Sequence, residues 1–154
     1  YADRMRKWFD DNIGEDFMQL RAFIMNILQQ EAGLDEIVRL VGMDALSGRD
    51  RLTMETAKMV REDYLHQNAF HETDTYTSLK KQYRMLRLIK RFYDAGYEAI
   101  ASYASIDEII PCPAKEQIRR SKYIPEDELD KFDEIEQNIT RQLKALAVKG
   151  EDNV

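Results

Sequence analysis

The first proline of this chain is Pro111, and up to that point apolar residues recur every three to four positions. A stretch of that length with no proline and a 3.6-residue period suits helices that pack through one face. Only six glycines and three prolines occur in 154 residues, too few turn signals for a β-sandwich or barrel. The expected fold class is all-α, a single bundle of about five helices spanning residues 1–154.

The pattern also places the helices. Met5, Trp8, Phe9 and Ile13 give a short first helix over 3–12 that stops near Gly14. Phe17, Leu20, Ile24, Ile27 and Leu28 form the stripe of a second, which Gly33 interrupts and which resumes as Leu34, Ile37, Val38 and Val41. Gly42 suits a left-handed cap there. Ser47 with Asp50 three residues on reads as an N-cap opening a third helix, whose inner face is Leu52, Thr56, Met59, Val60 and Tyr64. Ser78 caps a long fourth helix carrying Leu79, Tyr83, Leu86, Ile89, Phe92, Tyr93, Tyr97 and Ile100. Residues 105–110 give at most one helical turn, closed by Pro111-Cys112-Pro113. Pro125 is expected to open the last helix, with a seam of Leu129, Phe132, Ile135, Ile139, Leu143 and Leu146 against the bundle or another chain. Between the third and fourth helices, residues 66–77 (HQNAFHETDTYT) have neither period and read as a loop.

Charge and motif exclude several chemistries. Lys and Arg number 23 against 29 Asp and Glu, a formal net charge of −6, which offers no footprint for a phosphate backbone and argues against nucleic acid. No glycine-rich phosphate loop ending in Lys-Ser/Thr occurs. His66 and His71 stand in no metal-ligand frame, so no metal site is expected. Cys112, the lone cysteine, cannot pair within the chain and reads as a small packed hydrophobe rather than a nucleophile. Acid pairs such as Glu15-Asp16 and Asp107-Glu108 fall at expected helix starts, where the helix dipole accounts for them. No catalytic residue is therefore assigned. No apolar run approaches the roughly 18 residues of a membrane span, so direct membrane insertion is not expected and the chain reads as soluble and intracellular. The first residue is Tyr1 rather than Met, which predicts a piece of a longer protein.

Residues Gly42 to Thr53, GMDALSGRDRLT, resemble the G-M-D-E-L-S-E-E-D-K-L-T stretch of the F-type ATP synthase β subunit. Residues Val60 to Tyr76, VREDYLHQNAFHETDTY, are closer still to the I-R-E-D-F-L-Q-Q-N-A-F-H-x-V-D-T-Y pattern of the catalytic A subunit of V-type and archaeal A-type ATP synthases. Lys81-Gln82-Tyr83-Arg84-Met85-Leu86 continues the match. The resemblance runs over the whole chain, strongest from Ile37 to Tyr93. It implies the C-terminal helical domain of an A subunit, without its barrel and nucleotide-binding domains.

That resemblance implies two sites. The loop after the third helix would close on the adenine ring, with Phe70 and Tyr76 stacking and Ala69 and Thr73 as nearby wall. An aromatic face against a purine contributes about 1–3 kcal/mol. Taken without the family, Phe70 and Tyr76 read rather as loop anchors packed into the core. The turn Met43, Asp44, Ala45, Leu46, Ser47, Gly48, Arg49 and Asp50 would meet the rotating central stalk. It keeps two Asp and one Arg where the F-type stretch has five acids, so apolar contact through Met43, Ala45 and Leu46 would carry more of the coupling. By the same resemblance the full-length enzyme works on ATP/ADP with Mg²⁺, whose phosphate groups and metal are handled by polypeptide preceding Tyr1. Its partners would be the B subunits, alternating with it in a hexamer, and the central stalk, on the cytoplasmic side of the membrane. The isolated chain would carry no cofactor and no ATPase activity. The rival from another class is a free-standing helical adaptor that binds a protein partner, with a small helical hydrolase further behind.

Overall fold

A computed structural model describes residues 2–65 and 78–154. The described residues form seven α-helices and no strand: α1 (Ala2–Asn12), α2 (Phe17–Val41), α3 (Gly48–Met59), α4 (Leu79–Ala101), α5 (Ile106–Ile109), α6 (Ala114–Arg120) and α7 (Lys131–Asp152). A π-helical turn, Val60–Leu65, continues α3. Short 3₁₀ turns lie at Met43–Ala45, Ser121–Tyr123 and Glu126–Glu128. The all-α expectation holds, with two more helices than the sequence pattern predicts.

Two caps form as their sequences require. The Ser47 hydroxyl accepts the Asp50 N–H at 3.2 Å and the Ser78 hydroxyl accepts the Lys81 N–H at 3.0 Å, each satisfying a donor the helix itself cannot. Other boundaries differ. Gly33 does not interrupt α2, which runs unbroken for 25 residues, because burial of Phe17, Leu20, Ile24 and Ile27 outweighs the ~1 kcal/mol that a helical glycine costs. Gly42 ends α2 with φ 91° and ψ 164°, not a left-handed helical cap but a positive-φ, extended-ψ geometry essentially reserved for glycine. Pro125 opens only a 3₁₀ turn, and α7 begins six residues later at Lys131. The helix α6 follows Pro113 directly and has seven residues, too few to display a period.

The core centres on α4, whose Met85, Leu86, Leu88, Ile89, Phe92 and Ala99 are buried. Its most extensive packing is with α7, which contributes Phe132, Ile139 and Leu143. The apolar seam of the last helix therefore faces the bundle. Gly96, an apparent flaw in α4, is a packing device: a Cβ there would lie 3.0 Å from Leu52 Cδ1 of α3. Gly150 serves α7 likewise, resting against the backbone of Ser102–Ala104 at the α4–α5 corner. By contrast α1 buries no residue and is held by Phe9, whose ring stacks on Phe17 with centroids 5.0 Å apart.

Candidate functional site

Two regions position the residues that the sequence singles out. The first is the tip joining α2 to α3. After Gly42 the chain makes the Met43–Ala45 turn, and the Leu46 N–H donates to the Met43 carbonyl at 3.1 Å. Leu46 is 8% exposed and plugs the turn into the bundle, so it supports the tip from within and is not open at the surface. Met43, Asp44, Ala45, Ser47 and Arg49 are exposed, while Gly48 and Asp50 are half-buried. Arg49 is not free-swinging: its guanidinium sits over the Tyr97 ring at 4.8 Å.

Beside this turn lies a patch that the sequence pattern misplaces. Ile37 and Val41, read as part of the core stripe, are 42% and 65% exposed, and Leu40 is 79% exposed. The buried line of α2 passes through 17, 20, 24, 27 and 31 and continues through the half-buried Leu34 and Val38. That three-then-four step leaves Ile37 and Leu40 off the line, whereas Val41, three residues after Val38, falls on it and is exposed as the last residue of the helix. With Met43 they make a continuous apolar end to α2.

The second region flanks residues 66–77. Phe70, Tyr76, Ala69 and Thr73, with His66 and His71, lie outside the described residues. On the α3 side the π-helical turn brings in Asp63 and Tyr64, whose hydroxyl approaches Gln82 Oε1 at 3.4 Å. On the α4 side Ser78 donates to Glu126 through its N–H at 3.0 Å and its hydroxyl at 2.5 Å. Lys81 is fully buried, and its ammonium donates to the Lys122 carbonyl at 2.5 Å. Segment 119–126 therefore braces the start of α4, and its cations Arg119 and Lys122 act on Asp63.

Asp63 is 7% exposed, and among the described residues it has neither a hydrogen bond nor an ion pair. Burial pushes its carboxyl up to about 6, with Lys122, then Arg119 and Lys115, pulling down and Glu62 pushing up. A raised folded-state value means that ionisation opposes folding. Stability is then fullest below the unfolded value near 4 and is lost as pH rises through about 6. Asp63→Asn should stabilise the chain at pH 7 by about 1–2 kcal/mol, a solvent-discounted part of the full shift. The gain should vanish at pH 4. Urea denaturation at the two pH values checks this, and an equal effect at both would reject it.

Cys112 behaves as a packed small side chain. Burial raises its thiol above the ordinary range, and its sulfur lies 3.0 Å from Gln142 Oε1, which also accepts the Ala114 N–H at 2.8 Å. Among the described residues no cluster of three or more His, Cys, Asp or Glu could hold a metal, and no helix is long and apolar enough to cross a membrane. Acids at helix starts also hold other groups: Asp16, at the start of α2, accepts the Tyr83 hydroxyl at 2.7 Å, and Glu126 accepts from Ser78.

The described residues define a helical domain that presents a capped turn at one end of its bundle. The family model described as the C-terminal domain of V and A type ATP synthase matches residues 6–110, and the chain belongs to that family. It is similar to the V-type ATP synthase alpha chain of Acetivibrio thermocellus, 56% identical over 150 residues, covering 97% of this chain and 26% of that one. The corresponding chains of Thermoanaerobacter pseudethanolicus and Clostridium perfringens are 49% and 48% identical, with 97% of this chain and 25% of theirs covered. The chain thus spans about a quarter of the length of the curated relatives it matches.

Proposed function

We propose that the chain serves as the C-terminal helical domain of the catalytic subunit of an ion-translocating V/A-type ATP synthase, with one binding loop and one mechanical contact. Phe70 and Tyr76 stack on the adenine of ATP or ADP, with Ala69 and Thr73 beside them. The phosphate groups and Mg²⁺ fall to barrel and phosphate-loop domains that precede this one, and the chain alone neither binds nucleotide tightly nor hydrolyses it. The tip at 43–50 meets the central stalk. The B subunits alternate with this one in a hexamer, peripheral to the membrane on its cytoplasmic side.

The observation that carries the mechanical half is the apolar tip: Ile37, Leu40, Val41 and Met43 are exposed together beside a turn fixed by Leu46 and Ser47. An apolar surface at the end of a long helix is costly to leave in water and is suited to a sliding partner face. Because α2 spans about 37 Å at 1.5 Å per residue, rotation of the bundle is delivered at the tip as displacement. Asp44 and the Tyr97-held Arg49 leave little net charge there, which favours shape and apolar contact over charge attraction.

Leu40→Asp combined with Val41→Asp tests this in the full-length enzyme, since both side chains are exposed and the fold should tolerate the change. The expected result is retained ATP hydrolysis with several-fold less ion translocation per ATP consumed. An unchanged ratio of transport to hydrolysis would reject the tip as the coupling surface.

A further inference from the structure

A cleft of about 310 Å³ opens between the end of α3 with its π-helical turn and the α5–α6 connection, away from the tip. One wall is apolar, formed by Met59, Ile110, Pro111, Cys112 and Pro113. The charged lining comprises Glu55, Glu62, Asp63 and Glu116 against Lys58, Lys115 and Arg119, one more carboxylate than cation. Two of those cations are engaged: Lys115 pairs with Glu55, and the Arg119 Nε donates to Glu116 at 2.9 Å.

Lys58, Glu62 and Asp63 are the charged groups these pairs leave over, and of the three Asp63 is the buried one. It is more than nine-tenths buried, lines the cleft, and has no hydrogen-bond or ion-pair partner among the described residues. Its oxygens still reach the water of the cleft, and in so enclosed a place an opposite charge gains more from pairing with it than it would in open solvent. The π-helical turn that carries it is itself uncommon, and such turns concentrate at functional positions.

We propose that this cleft is a binding site for the arginine side chain of a protein partner, with Asp63 as its counter-ion. The long stem lies along Met59 and Ile110, and the planar head rests against the Pro111–Pro113 wall. A guanidinium fits better than an ammonium because it is flat and weakly hydrated, so it enters a partly desolvated pocket at lower cost. Lys58, Lys115 and Arg119 at the rim repel a second positive charge, which disfavours free polyamines and favours one cation on an otherwise neutral backbone. The site does not depend on the nucleotide role of residues 66–77.

Titration of the chain at pH 7.5 with N-acetylarginine methylamide and with butylguanidinium, followed by NMR amide shifts over 58–63 and 110–119, tests the assignment. Both probes should bind with dissociation constants of about 1–10 mM, as small single-cation ligands do. The neutral isostere butylurea should bind about tenfold more weakly. Asp63→Asn keeps the shape and should weaken both cations about tenfold without altering butylurea. Lowering the pH to 5 should weaken the wild-type interaction about tenfold, since the carboxylate, set between Lys122, Lys115, Arg119 and Glu62, is then largely protonated. Equal binding of butylurea, indifference to Asp63→Asn, or absence of shifts over these residues would overturn the site. Tighter binding of spermidine than of the arginine derivative would overturn the protein partner in favour of a free polyamine.

Discussion

Replacing Phe70 by alanine in the full-length enzyme is expected to raise the Michaelis constant for ATP roughly ten- to a hundred-fold while leaving turnover nearly unchanged. The size follows from stacking, since one aromatic face against a purine contributes about 1–3 kcal/mol. The direction follows from distance. A contact with the base is made equally in the ground state and the transition state, so its loss lowers binding without slowing the phosphoryl step. Tyr76→Ala should act in the same sense, and the double variant should lose less than the sum, because one base can be sandwiched only once. Steady-state kinetics with ATP and direct nucleotide titration check both. Unchanged affinity in Phe70→Ala would remove the adenine role, whereas a fall in turnover at constant affinity would move the residue toward the chemistry.

The second large effect concerns stability. Gly150→Ala should destabilise the chain by about 2–3 kcal/mol, the range for overpacking against an unyielding neighbour. A Cβ at that position would lie 2.5 Å from the Ser102 carbonyl oxygen, 2.6 Å from the Ala104 nitrogen and 2.7 Å from the Tyr103 carbonyl carbon. All three are backbone atoms of a corner that is itself constrained: Tyr103 holds φ at 71°, and the Ala104 N–H donates to the Ala99 carbonyl at 2.9 Å. No side chain can swing aside, so the end of α7 must lift. Gly33→Ala supplies the contrast. It lies in α2 with nothing within 4 Å of an added Cβ, and should gain about 0.5–1 kcal/mol from helix propensity alone. Urea denaturation of the pair checks the argument. Stabilisation by Gly150→Ala would show that α7 does not seat on that corner.

What the sequence made legible was the local chemistry. Ser47 and Ser78 cap their helices because each hydroxyl lies three residues before an N–H the helix leaves free, and the α4 stripe packs at Leu86, Ile89 and Phe92, while Leu79 and Tyr97, expected on it, are exposed. Residues off that period were harder. The three-then-four step of α2 leaves Ile37 outward, Val41 is on the line but at the exposed end of the helix, and α6 was too short to repeat. Asp63 stands four residues after Met59 and three after Val60, so helical spacing places it on the buried face, and only its being an acid hid it from an apolar pattern. Burial of Lys81 was equally invisible, since its partner is a main-chain carbonyl 41 residues away. The two candidate regions were suggested by family resemblance alone. The apolar surface beside the tip and the cleft at Asp63 needed coordinates.

The pairing of α7 with α4 constrains how the protein is born. Phe132, Ile139 and Leu143 cover a face of α4 made some fifty residues earlier, as the Arg87–Glu136 pair, 49 residues apart, records. On a ribosome α4 emerges with that face still uncovered, and the nascent chain carries an adhesive groove until α7 clears the exit tunnel. A holdase that masks apolar grooves during synthesis would raise the yield of folded protein, and truncation within α7 would send the chain to aggregates rather than to a smaller native state.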